Sequence, residues 1–354
     1  MSRFFSTKYN NLEAYTPGEQ PKDMQYVKLN TNESPFPPSD KAQAYAAKAA
    51  QCLQLYCDPD CTALTREFTK LYGIEKDEVI FTNGSDDVLN FCFMAFCDEA
   101  HPAAFPDITY GFYPVFAELN HVPYTQIPLQ EDFTINVDDY CGINKTIFIA
   151  NPNAPTGIAL SLSEIERIIQ TNPDNVVIVD EAYVDFGTQS AVGLIDRYDN
   201  LIVTQTFSKS RSLAGGRLGM AIANQSLIRD LNTIKYSTNP YNINTMTQAA
   251  GVGTLLDDAA IKKNCTAIVG NRAYLTDELE KLGFVHTPST ANFVFVKHPT
   301  YDGEKLYLDL KKRGVLIRHF TKERIRNYNR ITVGTREQID ILLRNIKELL
   351  EENA

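Results

Sequence analysis

The segment from Thr204 to Gly219 puts a lysine, two hydroxyls and an arginine within reach of a single ligand. Lys209 lies three residues beyond the apolar-rich run Leu201–Thr206. Removal from water there would favour the neutral, nucleophilic form of its amine, which attacks aldehydes. The hydroxyls of Thr206 and Ser208 and the forked guanidinium of Arg217 suit a phosphate. Read alone, the pattern also fits a surface lysine in a glycine-bearing loop. A second candidate, Asp180, closes the run Val176–Val179, with Tyr183 three residues on. Ligands of open α/β sheets gather at the carboxyl ends of strands, so Asp180 faces where a bound group should lie; the bland alternative is an aspartate capping a turn. A third candidate, Phe81 to Asp87, runs from a strand through Gly84 into a helix. The free N–H groups and positive dipole end of such a helix make a phosphate cradle, and Ser85 also reads as its N-cap.

These residues need a scaffold that brings separated segments to one edge. Apolar runs at Val79–Thr82, Thr146–Ala150, Val176–Val179, Leu201–Thr206 and Met220–Ala223 read as strands. Helical spacing of apolar residues runs from about Ser39 to Leu53, Asp86 to Phe96, Ser163 to Gln170 and Ser226 to Lys235. The alternation is that of βαβ units on a mainly parallel sheet flanked by helices. Further on come an amphipathic stretch to about Leu282, Asn292–Val296, Glu304–Arg313, Val315–Arg318, Arg330–Val333 and Arg336–Glu351. That mixture reads as a smaller α+β lobe. We expect an α/β fold with a large domain over 29–255 and a small one from 1–28 and 256–354, joined through a long helix near residue 255.

Composition narrows the class. The chain has 354 residues, 44% hydrophobic and 22% charged, with a net charge of −10. This is ordinary globular composition, and the acidic balance without a basic tract argues against a nucleic-acid partner. No run of 18 apolar residues offers a membrane span, and residues 1–10 lack the apolar core of a secretory signal. Seven cysteines without a CxxC or zinc-finger spacing suit a reducing cytoplasm and no metal site. No G-x-G-x-x-G follows a strand, which sets aside a dinucleotide-binding dehydrogenase.

The lysine segment resembles the S-K-x-x-x-L-x-G-x-R-x-G signature of class I and II aminotransferases, matching at Ser208, Lys209, Leu213, Gly215, Arg217 and Gly219. Leu29–Phe36, Tyr56–Pro59, Phe81–Asp87, Asp180–Tyr183, Asn239–Asn244, Gly314–Arg318 and Arg330–Thr335 resemble segments of the histidinol-phosphate aminotransferases, so the likeness covers nearly the whole chain. It implies a fold-type-I transferase using pyridoxal 5'-phosphate (PLP). In that family the Lys209 position is the Schiff-base lysine. Gly84, Ser85 and Arg217 stand where the cofactor phosphate binds, with Asp86, Thr206 and Ser208 as further cofactor-binding candidates, and Asp180 where its pyridine nitrogen is met. Tyr183 corresponds to a partner of the ring 3'-oxygen, Asn153 to a further cofactor contact, and Tyr110 to a residue that stacks on the ring. The Tyr56 position reaches the phosphate of a neighbouring subunit, which implies a homodimer. Arg330, supported by Arg318, Tyr15 and Asn32, corresponds to the substrate-binding set.

The activity implied is exchange of an amino group between glutamate and the keto partner of histidinol phosphate, a step of histidine biosynthesis. Alternatives are a threonine-phosphate decarboxylase, an aromatic amino-acid aminotransferase and, more remotely, a PLP-binding regulatory module. The chain departs from the family pattern at Ala154, where N-P-N-N-P-T-G has a second asparagine, and at Leu55 and Cys57 beside Tyr56. Asn153 or Tyr183 is expected to compensate for Ala154.

Overall fold

The computed structural model describes residues 2–10 and 12–353. In chain order it contains β1 (Val27–Lys28), α1 (Asp40–Ala49), α2 (Thr62–Tyr72), β2 (Val79–Thr82), α3 (Ser85–Phe96), β3 (Ala103–Pro106), α4 (Phe112–Leu119), β4 (Tyr124–Ile127), β5 (Thr146–Ala150), α5 (Leu162–Thr171), β6 (Val177–Asp180), β7 (Leu201–Thr206) and β8 (Gly219–Ala223). The helices α6 (Gln225–Thr238), α7 (Thr245–Leu255) and α8 (Asp258–Lys281) follow. The remainder is β9 (Val285–His286), β10 (Phe293–Lys297), α9 (Gly303–Lys312), β11 (Val315–Leu316), β12 (Arg318–His319), β13 (Asn329–Thr332) and α10 (Arg336–Glu352). No helix among the described residues is long and apolar enough to cross a membrane.

Seven strands form one sheet in the order β2-β8-β7-β6-β5-β3-β4. The strands from β4 to β7 are parallel, and β8 runs antiparallel to both β7 and β2. This is the expected α/β architecture with a mainly parallel mixed sheet. Its central strands are apolar throughout because both faces are covered. Ile147, Ile149, Val177, Val179, Leu201 and Val203 enter one core, while Phe148, Ile178 and Ile202 enter the other. The period-2 alternation of strand side chains produces this split.

A second sheet, β12-β13-β10-β9, packs under α8, α9 and α10 in a separate core that includes Leu29, Phe293, Ile331 and Ile346. β1 pairs in parallel with β11, which ties the start of the chain to this region. Capping boxes start α5 at Ser161 and α10 at Thr335.

Several expectations shift. β6 runs one residue later than expected, so Asp180 is the last residue of the strand rather than the first beyond it. The strands β3 and β4 were not anticipated: β3 reads Ala-Ala-Phe-Pro, and β4 is a largely exposed edge strand with polar residues. The stretch ending near Leu282 is two helices, interrupted at Leu256–Asp257. The anticipated strand Val315–Arg318 divides at Ile317, and its halves pair in different sheets. Ser85 is not the N-cap of α3. Gly84 is, at φ 86° and without side-chain capping, and Ser85 is the first helical residue.

Gly219 pairs with Thr82 on one side and Thr206 on the other. A Cβ on it would lie 2.3 Å from Ser85 N and 2.4 Å from the Gly84 carbonyl carbon. Backbone cannot yield there as a side-chain tip would. Gly219→Ala should therefore destabilise the fold by about 1–3 kcal/mol, the usual range for overpacking, measurable as a lower urea midpoint.

Candidate active site

A cavity of about 430 Å³ opens where β5, β6 and β7 end at Ala150, Asp180 and Thr206. Ser85, Asp86, Tyr110, Tyr183, Ser208, Lys209 and Arg217 also line it. Residues from five segments of the sequence thus meet at the carboxyl edge of the large sheet, where ligands of open α/β sheets bind. The antiparallel β8 places β2 in the same sense as β7, which brings the start of α3 to this edge.

One end of the cavity is suited to an oxyanion. Arg217 Nη2 donates to Asp86 Oδ2 at 2.9 Å, and Tyr110 OH donates to Asp86 Oδ1 at 2.7 Å. A Cβ on Gly84 would stand 2.4 Å from Arg217 Nη2, so glycine allows the guanidinium to lie against the start of α3. Thr206 Oγ1 and Ser208 Oγ are 3.0 Å apart. With two hydroxyls, a guanidinium and a helix start uncapped by any side chain, this end fits a phosphate.

The other end is built around Asp180, which is 5% exposed. Burial pushes its carboxyl up to about 6, against the hydrogen bonds from Tyr113 OH at 3.1 Å and Ala182 N at 3.2 Å that hold it down. Such a carboxylate is suited to a cationic N–H partner. The fully buried Tyr113 was not singled out from sequence, although its spacing from Tyr110 was visible. Tyr110 stands edge-on to it at 5.7 Å and 84°, which fixes the Tyr110 ring at the cavity wall. Lys209 is partly exposed rather than buried as expected, because its amine reaches into the open cavity. Its Nζ donates to Thr31 O at 3.3 Å and lies 5.8 Å from the Tyr183 ring centroid. Gln20, Thr31 and Glu33, from the segment before α1, also line the cavity; none of the three was named from sequence, although Leu29–Phe36 was.

Other anticipated residues lie elsewhere. The Asn153 side chain is committed to its loop: Nδ2 donates to Ile108 O at 2.9 Å and Thr156 Oγ1 at 3.0 Å, and Oδ1 accepts from Thr109 at 2.7 Å. Asn153 does not line the cavity, whereas Ala154 does. Asn32 is 1% exposed and also lies behind the lining. Its N–H donates to Thr332 Oγ1 at 2.9 Å, its Oδ1 accepts from that hydroxyl at 3.1 Å, and its Nδ2 donates to Tyr183 OH at 2.9 Å. The Tyr183 oxygen is thus an acceptor from Asn32, which leaves its own proton free for the cavity.

Arg318 and Arg330 are directly opposed on the antiparallel strands β12 and β13. Among the described residues neither has a carboxylate partner. Arg330 Nη2 donates to Asn30 O at 3.2 Å, while its buried Nε has no partner. The Arg330 guanidinium lies 5.3 Å from the Phe293 ring, which packs edge-on against Tyr183. Burial lowers the Arg330 pKa, and burial raises that of Tyr15 despite the nearby charges of Arg318 and Arg330. Tyr15 stacks on Phe112 at 4.0 Å. Tyr56 is not among the cavity lining; it is stacked on Tyr241 at 4.8 Å and 85% exposed.

The raised Asp180 pKa has a sign that can be checked. A carboxyl that titrates near 6 when folded and near 4 when unfolded favours folding below the lower value and loses that contribution as pH rises through the upper one. Without cofactor, the protein should lose on the order of 3 kcal/mol relative to Asp180→Asn between about pH 4 and 7. Parallel denaturation curves for the two proteins would contradict this.

The sequence profile of aminotransferase class I and II matches residues 24–346. A histidinol-phosphate aminotransferase of Brachyspira hyodysenteriae is 46% identical over 353 residues, covering 99% of this chain and all of the relative. One from Acinetobacter baumannii is 48% identical over 350 residues, covering 98% of this chain and 97% of the relative. The fold matches a crystal structure of histidinol-phosphate aminotransferase from Sinorhizobium meliloti in complex with pyridoxal-5'-phosphate, with a TM-score of 0.86 at 20% identity, over 93% of this chain and 92% of that one. With the lysine, buried aspartate and phosphate-shaped pocket meeting in one cavity, the chain belongs to the histidinol-phosphate aminotransferase family, PLP-dependent members of aminotransferase class I and II.

Proposed function

We propose that the protein transfers an amino group between glutamate and the keto partner of histidinol phosphate, with Lys209 as the residue that carries PLP and moves the proton. The observation that carries this reading is the meeting of Lys209, Asp180 and Arg217 in one cavity. When bound, PLP supplies an aldehyde for attachment and a ring that accepts electron density from the substrate. Arg217, Ser85, Thr206, Ser208 and the start of α3 would hold its phosphate. Asp180 would meet the ring nitrogen, a cationic partner for its buried carboxylate. Tyr110 would wall the ring, and Tyr183 would donate its free proton toward the ring oxygen. Lys209 Nζ would take the proton from the substrate Cα as general base and deliver it, as general acid, to the former aldehyde carbon rather than back to Cα.

Arg330 and Arg318 are proposed to hold the anionic group of either substrate. Two guanidinium groups opposed without a carboxylate repel one another, and an anion between them relieves that repulsion. We further propose that residues 29–255 and the remainder act as two lobes, with Leu29 at their boundary packing into the smaller core. The homodimer belongs to the same proposal: Leu53, Leu55, Tyr56 and Tyr241 are exposed together, and Tyr56 would serve the partner's phosphate. A cytoplasmic setting accords with seven free thiols.

Lys209→Ala should abolish both the visible absorbance of lysine-bound PLP and transamination. Glutamate-dependent turnover of the keto partner of histidinol phosphate is expected from the native protein. Carbon dioxide release from threonine phosphate in its place would overturn the assignment. Arg330→Ala should lower kcat/KM for both substrates by about 10- to 100-fold, as for loss of a hydrogen bond to a charged group. Because Ala154 offers no polar atom, Tyr183→Phe should cost roughly tenfold in kcat, and an unchanged spectrum and rate would count against its role.

A further inference from the structure

Lys209 stands on a segment with few backbone ties of its own. β7 ends at Thr206, and the turn is closed by Leu213 N donating to Phe207 O at 2.9 Å and Ser212 N donating to Lys209 O at 3.3 Å. Ser212 lies in the left-handed region at φ 55°. The two residues after the lysine turn away from its cavity and are buried, with Ser210 3% and Arg211 5% exposed. Both reach one carboxylate, Asp185, two positions beyond Tyr183. Ser210 Oγ donates to Asp185 Oδ2, and Arg211 Nη1 donates to the same oxygen at 3.0 Å.

The connection continues inward. Arg211 Nη2 donates to Tyr72 OH at 2.6 Å, and Tyr72 OH donates to Gln205 Oε1 at 3.1 Å. Gln205 Nε2 donates to Glu181 Oε2 at 2.9 Å, and Glu181 is the immediate neighbour of Asp180. Burial pushes the Glu181 carboxyl up to about 7, against hydrogen bonds from Ser190, Ala191 and Gln205. None of Tyr72, Glu181, Asp185, Gln205, Ser210 and Arg211 lines the Lys209 cavity. Tyr72, Asp185 and Arg211 instead line a second hollow of about 560 Å³.

We propose that Arg211 and Asp185 are positioning residues, which tether the Lys209 turn to the Tyr183 segment and so hold the amine at its working place. The inference rests on the assignment of Lys209 as the PLP-bearing residue. A guanidinium that engages a carboxylate and a phenol through separate nitrogens defines direction as well as distance. That constraint is transmitted over two residues of backbone. Positional tolerance at a reacting atom is small, and misplacement by about 1 Å costs about 100-fold in rate.

The test compares Ser210→Ala, Asp185→Asn and the double variant Asp185→Asn/Arg211→Met, which leaves no charge unpaired at Arg211. The double variant should bind PLP within about threefold of the native affinity, because no cavity residue changes, while kcat falls about tenfold or more with KM for glutamate nearly unaltered. The pH at which its lysine-bound PLP absorbance titrates should also move. Ser210→Ala should lower kcat about two- to fivefold at constant KM and keeps the test decisive if the other variants do not fold. Native kcat in Ser210→Ala or in a folded double variant overturns the tether, as does a rise in KM at native kcat. Lys209→Ala, assayed alongside, separates the two claims. If it retains turnover, the lysine assignment fails; if it is inactive while the tether variants behave as native, only the tether fails.

Discussion

A carboxylate taken out of water at the end of a strand costs free energy until a cation meets it, and the site is arranged around this constraint at Asp180. β6 carries the aspartate to the carboxyl edge of the sheet, and β5 and β7 cover its flanks. Tyr113 and the Ala182 N–H soften the cost without removing it. The cationic groups stand around the same cavity rather than on the aspartate, with Lys209 and Arg217 in its lining. A ligand with a positive ring nitrogen and a negative phosphate would satisfy both ends at once.

Much of this was legible in the order of residues because strands buried on both faces read as unbroken apolar runs. β2, β5 and β7 begin and end at the expected residues, and Asp180 and Lys209 stand out as charged residues at or just beyond strand ends, although their roles, like that of Arg217, were drawn from the family resemblance. β3 escaped notice because two alanines carry little strand signal, and β4 because an exposed edge strand needs no apolar pattern. The Leu29–Phe36 motif marked its segment, but in a stretch with little regular structure the pattern did not tell that Thr31 and Glu33, with Gln20, rather than Asn32 form the lining. The partner of Asp180 was hidden for a different reason: Tyr113 looks like an ordinary core aromatic until its hydroxyl is located.

Asn32 joins the site through the residues it binds rather than through the cavity lining. Its backbone takes the left-handed conformation at φ 56°, where asparagine is tolerated better than most residues. From there it engages Thr332 on one side and Tyr183 on the other, while Asn292 Nδ2 donates to its carbonyl at 2.9 Å. Thr332 belongs to the same strand as Arg330. One buried amide therefore connects the strand of Arg330 with a tyrosine in the cavity wall, and Asn153 is left to organise its own loop.

The division at Ile317 bears on how such a site diversifies. Val315 and Leu316 are held by the strand at the start of the chain, and Arg318 by its antiparallel neighbour, with a single residue between the two commitments. Side chains alternate faces along a strand, so gaining or losing one residue there would turn Arg318 to the opposite face. Point changes leave this geometry alone; changes of length do not. New acceptors are therefore more accessible to this scaffold through altered side chains on a preserved frame than through insertions at that bend.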